Sequence, residues 1–345
     1  MKAAILENIE SLKIIDVKIP YCEKNEILIK VNACAICGTD VKVYHHGHKH
    51  IVFPRITGHE VSGEIFETGM LVKDFKKGDS VAIAPALPCG ECRYCREGMM
   101  SMCDNLTAIG YHYDGGFAEF MLVPEIAIKS GCVNKIPKNI SFEEACLAEP
   151  LACAINGQEL SGVKLGHTVL IMGAGPLGCI HAQLARTKGA TKIIMADISN
   201  ERLEMAKIAQ ADFYINISQE NLKQKIYEIT NERGADVVIV SCASKKAQEQ
   251  SLEVVAKRGN INFFGGLPKT DSIINFDSNL PHYKEFYVVG THGSAPHHNR
   301  LALDLISSNL IKVKDLITHQ FPIEKLKDGL DIVEKGNGLK VIIKN

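Results

Sequence analysis

The sequence contains no tryptophan, and aromatic residues make up only 6% of its 345 positions. It has no run of about 20 apolar residues, so nothing reads as a membrane-spanning helix and no membrane partner is expected. Charge of one sign is also missing as an excess: 39 Lys and Arg stand against 40 Asp and Glu, a formal net charge of -1. A near-neutral chain without a Lys/Arg block has no global electrostatic reason to seek nucleic acid. The N-terminal residues lack the continuous apolar stretch of a secretory leader, because Glu7, Asn8 and Glu10 interrupt it. A cytoplasmic location is therefore expected. Repeats and low-complexity tracts are absent too, apart from the local bias of His45-His46-Gly47-His48-Lys49-His50.

What is present fits a two-domain chain. Apolar residues make up 46% and charged residues 23%, enough for cores and an ordinary soluble surface. In a reducing compartment, 12 cysteines read as buried thiols or metal ligands rather than disulfides.

The first half is β-rich. Short apolar runs at 27–31, 61–66 and 80–83 are separated by turn residues such as Lys77-Gly78-Asp79. That pattern predicts a small, partly closed β-barrel or sandwich with long loops. Near residue 150 the character changes. Strands are predicted at 167–172, 192–196, 213–217, 237–240, 260–264 and 285–289. Helices are predicted at 177–188, 199–209, 221–231 and 246–255. Apolar strands alternating with helices make a parallel sheet covered on both faces, and six of them match a doubly wound dinucleotide domain. A helix near 300–308 and a strand at 340–344 follow. This tail is too small to fold alone. It is expected to return to the first domain, giving 1–153 with 291–345 as one domain and 154–290 as an insertion.

Gly173-Ala174-Gly175-Pro176-Leu177-Gly178 lies between a predicted strand and a predicted helix. The first glycine permits the turn, the second lets the backbone approach a pyrophosphate, and Gly178 lets helix and strand pack closely. The helix start then offers unpaired N–H groups to phosphate. Asp197, about 20 residues on, stands where a carboxylate bonds both ribose hydroxyls and repels a 2′-phosphate. NAD is therefore expected over NADP. Arg202 is the complication, since an arginine there can hold that phosphate. The plainer alternative is a glycine turn with Asp197 as a helix cap. Gly265, after the fifth strand, lies at the carboxyl edge of the sheet, where cofactor binds.

Cys89-x-x-Cys92-x-x-Cys95 followed by Cys103 can close a tetrahedral thiolate sphere around zinc, within a lobe at about 88–104. No coordination position remains open, so its role is structural. Gly90 and Gly98 help the chain wrap. An iron–sulfur cluster is the alternative metal. Cys37, His59 with Glu60, and Glu149 each sit beside turn residues. One thiolate, one imidazole and one carboxylate would leave a position open, as a catalytic zinc site does. Spacing alone does not group them.

Cys37-Gly38-Thr39-Asp40, Gly58-His59-Glu60, the four-cysteine lobe, Gly115-Gly116-Phe117-Ala118-Glu119, Glu149-Pro150 and the glycine fingerprint together resemble the medium-chain, zinc-dependent alcohol and polyol dehydrogenases. The resemblance covers nearly the whole chain. It implies an α/β protein in which a GroES-like β-barrel catalytic domain carries an inserted six-stranded Rossmann domain. It implies catalytic zinc ligands at Cys37, His59 and Glu149, with Glu60 exchanging on the metal, and one structural zinc besides. The carboxylate at 149, in place of a second cysteine, resembles the sorbitol and threonine dehydrogenase branch. The Thr39 hydroxyl then accepts the proton of the alcohol and passes it on, and Thr291 lies where relatives pass the nicotinamide. The implied reaction is NAD-linked oxidation of a secondary hydroxyl of a polyol or polyol phosphate. The alternatives are an L-threonine 3-dehydrogenase and a non-catalytic NAD(H)-binding redox sensor. Family habit implies a homodimer or homotetramer. Many relatives carry a relay histidine five residues after the ligand cysteine, where this chain has Lys42. His45, His46, His48, His50 or water could replace it, or Lys42 and His45 could meet a substrate phosphate.

Overall fold

The strand Ile27–Ala35 is buried along nearly its whole length, and the first sheet is organised around it. A strand loses water on both faces only when covered on both, and the alternation of a one-sided strand then disappears. The computed structural model describes residues Met1–Asn345. It divides into two units, Met1–Ala152 with Gly293–Asn345, and Cys153–His292.

In the first unit a seven-stranded sheet runs Val133–Lys135, Ser80–Ile83, Glu60–Thr68, Ile27–Ala35, Lys340–Lys344 and Ile317–Pro322, and Phe120–Val123 also pairs with Ile27–Ala35. The last two strands of the path pair in parallel, and the others are antiparallel. The C-terminal strand Lys340–Lys344 pairs with Ile27–Ala35. Ile27, Ile29, Val61, Ile65, Phe117, Met121, Val341 and Ile343 belong to one buried cluster. A three-stranded sheet of Ser11–Asp16, Lys2–Asn8 and Arg55–Ile56 completes the unit. Register fixes what matters for function. Ala35 pairs with Glu60 on one side and Ile342 on the other. The ends of three neighbouring strands therefore carry Cys37, His59 with Glu60, and Lys340 toward one another.

The second unit is a six-stranded parallel sheet ordered Phe213–Asn216, Lys192–Asp197, Thr168–Met172, Ala235–Val240, Val255–Phe263 and Tyr287–Gly290. Numbered along the chain, that order is 3-2-1-4-5-6, the doubly wound dinucleotide topology. Of the boundaries that differ from the sequence reading, two change the course of the chain. The helix Lys245–Val254 passes straight into Val255–Phe263, with no intervening loop. Before the last strand a further helix, Asn279–Lys284, is closed by Glu285 in the left-handed region (φ 50°). The strand therefore starts at Tyr287, two residues later than the pattern indicated.

Candidate metal and cofactor sites

Cys37 caps the N-terminus of the helix Gly38–His46. Its backbone N–H donates to Asp40 Oδ2 at 2.8 Å. Asp40 Oδ1 lies 3.4 Å from His59 Nδ1. That carboxylate is almost wholly buried, and such a partner fixes the orientation of a ligating imidazole. Sγ of Cys37, a ring nitrogen of His59 and a carboxylate oxygen of Glu60 all lie within 4.8 Å of one another. Glu149 is not in that group. Its charge still acts on Tyr111 and Lys340 nearby. The structure thus brings together Cys37, His59 and Glu60, whereas the resemblance made Glu149 the third ligand and Glu60 the exchanging one.

The backbone beneath His59 is held from the side. Gly115, Gly116 and Phe117 donate their N–H groups to the carbonyls of Ile56, Gly58 and Thr57 at 2.8, 2.9 and 3.1 Å. A Cβ on Gly115 would stand 2.1 Å from the Gly58 carbonyl oxygen. The Gly-Gly-Phe motif therefore acts through packing: it lets two loops lie backbone to backbone.

Two neighbours were not legible in the sequence. Lys340 donates to Glu60 Oε1 at 2.6 Å and also contacts Oε2. Both side chains are nearly inaccessible, at 4% and 1%. Burial disfavours the Lys340 ammonium, but Glu60 above all, with Cys37 and Glu149, more than offsets it and raises its pKa. Tyr111 is the second. Its ring lies 5.8 Å from that of His59, and burial, reinforced by Asp40 and Cys37, holds its phenol protonated.

A cation fits this site. Burial opposes positive charge on His59, yet the buried Asp40 carboxylate beside it, with Cys37, favours that charge, and the imidazole pKa lies well above its ordinary value. Surroundings that favour positive charge on a buried ring also favour a metal among the same groups. Thr39 is half-buried beside it, with Oγ1 accepting from Cys37 Sγ at 3.6 Å. The histidine-rich stretch is differently placed. His45 is clamped by Glu10 at 2.7 Å and Glu334 at 3.1 Å, so a phosphate approaching it meets two carboxylates. Lys42 is exposed.

The four cysteines of the lobe also lie within 4.8 Å of one another. Backbone N–H groups point at their sulfurs: Cys89 N donates to Cys103 Sγ at 3.2 Å, and Cys92 N to Cys89 Sγ at 3.4 Å. Such bonds from the backbone of Glu91 and Cys92 lower the Cys89 thiol to about 6. Burial pushes Cys95 up to about 12. Backbone N–H groups of Cys95 and Asp104 lower Cys92 as well, and burial raises Cys103, so two sulfurs are prepared for ionisation and two are held back. A dication is what deprotonates all four together.

In the second unit, Gly173 takes φ +111°, and a Cβ on Gly178 would stand 1.9 Å from the Gly173 carbonyl oxygen. Gly175 caps the helix Pro176–Thr187, with Pro176 in its first turn and Leu177 following. Asp197 ends the second strand of the sheet. Its Oδ2 accepts from Ala174 N at 2.7 Å, and Oδ1 from Ile198 N at 2.7 Å and Ser199 N at 3.1 Å. The carboxylate is therefore tied to the glycine loop. The helix cap is Ser199, whose side chain accepts from Arg202 N. The Arg202 guanidinium reaches the loop as well, with Nη1 3.1 Å from where a Gly175 Cβ would stand. Gly265 N donates to Val240 O at 2.8 Å, setting the turn after the fifth strand. Thr291 follows the sixth.

The fold and these sites define a class. An alcohol dehydrogenase GroES-like domain matches residues 23–135, and a zinc-binding dehydrogenase domain matches residues 176–308. The chain is 32% identical to sorbitol dehydrogenase of Bacillus subtilis (strain 168), covering 99% of this chain and 97% of that one. It is 34% identical to L-threonine 3-dehydrogenase of Pyrococcus abyssi, covering 96% and 94%. Among solved structures, it matches a zinc-binding dehydrogenase of Sinorhizobium meliloti 1021 bound to NADP, with 31% identity and TM-score 0.93 over 100% of this chain and 99% of that one. The chain belongs to the zinc-binding alcohol dehydrogenase family and is an oxidoreductase.

Proposed function

We propose that this protein oxidises a secondary hydroxyl of a polyol or polyol phosphate with NAD. The observation that carries this reading is the set Cys37, His59 and Glu60 within 4.8 Å, a thiolate–imidazole–carboxylate donor set suited to zinc with a position left for substrate. When bound, zinc supplies Lewis acidity to a substrate hydroxyl and NAD supplies the hydride acceptor. The chain's own residues do the rest. Asp40 orients His59, and Lys340 fixes Glu60. Glu149 stands close enough to Lys340 and Tyr111 to act on their charge, and we assign it to the same site. The Thr39 hydroxyl, two residues from Cys37, accepts the proton of the alcohol as it passes its own proton on toward solvent. The Cys89, Cys92, Cys95 and Cys103 lobe holds a second, structural zinc. Gly173, Gly175, Pro176, Leu177 and Gly178 receive the pyrophosphate, while Gly265 and Thr291 flank the nicotinamide. Asp197 receives the adenosine ribose, where a 2′-phosphate would meet like charge. Arg202 opposes that preference, so NADP is the comparison to run.

The relatives named for sorbitol and for threonine favour two substrate classes, and their near-equal identities to this chain leave both in the test. The decisive assay is NADH formation from hexitols, pentitols, their phosphates and L-threonine, with and without a chelator. Cys37→Ser should abolish turnover and leave NADH binding intact. Turnover retained in that variant would remove the metal assignment. NADH binding without turnover of any substrate in the wild type would favour the sensor reading.

We also propose a homodimer or homotetramer in the cytoplasm. The strand Tyr287–Gly290 is paired on one side only, and its Tyr287 is 66% exposed, an edge that a second copy could extend. No helix is long and apolar enough to cross a membrane.

A further inference from the structure

A side-chain amide lies fully buried near the end of the fifth strand of the second unit. Asn262 is 0% exposed, and its strand is paired on both sides. An apolar residue would satisfy packing at such a position, and an unpartnered amide there would be costly. Both of its ends are engaged. Nδ2 donates to Gly157 O at 2.7 Å, and Oδ1 accepts from Thr291 Oγ1 at 3.0 Å.

Gly157 makes the first bond possible. A Cβ there would stand 2.9 Å from the Phe264 ring and 3.3 Å from Asn262 Nδ2. The helix can approach the sheet this closely only through glycine. The same carbonyl accepts from Ser161 Oγ at 2.6 Å, so the acceptor is itself fixed. Thr291 is held less firmly by its backbone, whose N–H reaches Phe263 O at 3.4 Å. Its hydroxyl bond to Asn262 is the shorter tie. Three residues beyond Asn262, just past the end of the strand at Phe263, lies the Gly265 turn.

Sheet order says what this tie serves. The fingerprint strand Thr168–Met172 is central, and Asp197 ends the strand on one side of it. A dinucleotide whose pyrophosphate sits at the fingerprint and whose adenosine ribose sits at Asp197 must extend its other half over the opposite strands. Those strands end at Val240, Phe263 and Gly290. Thr291 and Gly265 then flank the nicotinamide.

We propose that Asn262 is a positioning residue for the nicotinamide end of the cofactor, acting through the Thr291 hydroxyl. This rests on the cofactor reading given above. It goes beyond that reading in assigning a role to a residue that touches no cofactor.

The test compares two probes, NADH and ADP-ribose, which share the adenosine and pyrophosphate but differ in the nicotinamide. Affinities are measured for wild type, Asn262→Leu, Thr291→Val and Thr291→Ser. In Thr291→Val and Asn262→Leu, NADH should bind about 3- to 10-fold more weakly, the range of one lost hydrogen bond, with ADP-ribose unchanged. Thr291→Ser keeps the hydroxyl and should bind NADH like wild type. If Asn262→Leu does not fold, the two Thr291 variants decide alone. Equal weakening of both probes marks a merely structural role and overturns the proposal, as does unchanged NADH affinity. A wild type that binds neither probe overturns the cofactor reading itself, a result distinguishable from either of these.

Discussion

Replacing Lys340 by methionine should cost more than any surface change in this protein. The ammonium lies 2.6 Å from Glu60 Oε1 and 3.5 Å from the Ile36 carbonyl, with both charged side chains at most 4% exposed. At that separation the gross attraction is about 6 kcal/mol for an effective dielectric of 20. Desolvation of both ions consumes much of it, so the intact pair contributes little against an apolar pair of the same shape. Breaking it is different. Lys340→Met keeps the volume and leaves Glu60 buried without its counter-charge, which costs about 3–5 kcal/mol. At about 2–4 °C per kcal/mol for a unit of this size, the melting temperature should fall by roughly 6–20 °C. The assay is a thermal melt of wild type, Lys340→Met, Glu60→Gln and the double variant, all stripped of metal so that the part of Glu60 in metal binding drops out. The double variant should recover most of the loss, giving a coupling of the same size. A single variant melting within about 1 °C of wild type, or a double variant at the sum of the two singles, would refute the reasoning.

Two further outcomes are expected. Cys95→Ser should reduce bound zinc by one ion per chain and lower the melting temperature, because it opens a folded metal lobe; unchanged zinc content in elemental analysis would sink this. His181 is wholly buried against Gln158 and Phe264, and burial pushes its pKa down to about 3. Its folded pKa lies below the unfolded value of about 6.5. The stability of its neutral form is therefore present above that value and lost as pH falls toward 3, at about 1.4 kcal/mol per unit. His181→Leu removes this slope, so the denaturant-unfolding difference between wild type and variant should change by about 2 kcal/mol between pH 6.5 and 5. A constant difference would count against it.

The sequence disclosed most where information is local. The Cys89 to Cys103 set could be grouped from spacing alone. The central strands of the second unit stood out because covered parallel strands need unbroken Val and Ile, as in Ala235–Val240. Lys340 and Asn262 were silent for the complementary reason. One polar residue in an apolar strand has no periodicity to mark it, and its partner lies far along the chain. Glu60 is 280 residues from Lys340. Only the pairing of Ile27–Ala35 with strands on both sides brings the pair together. The helix Asn279–Lys284 was missed because a single turn and a half, closed by a left-handed Glu285, leaves too short a pattern to read.

That contrast in sequence distance carries a consequence for how the protein is assembled. The lobe sulfurs sit on one short stretch, so the loops a metal must close to gather them cost little chain entropy. They can be gathered while the rest of the chain is still unfolded. The Cys37, His59 and Glu60 set requires the sheet, and the Glu60 bond to Lys340 spans the whole inserted unit, a closure of high contact order. Metal uptake should therefore be ordered in time. The lobe fills first and helps to organise its surroundings, and the reactive centre becomes a binding site only in the last stage of folding. A polypeptide arrested midway would hold its structural ion and have no place yet for the other.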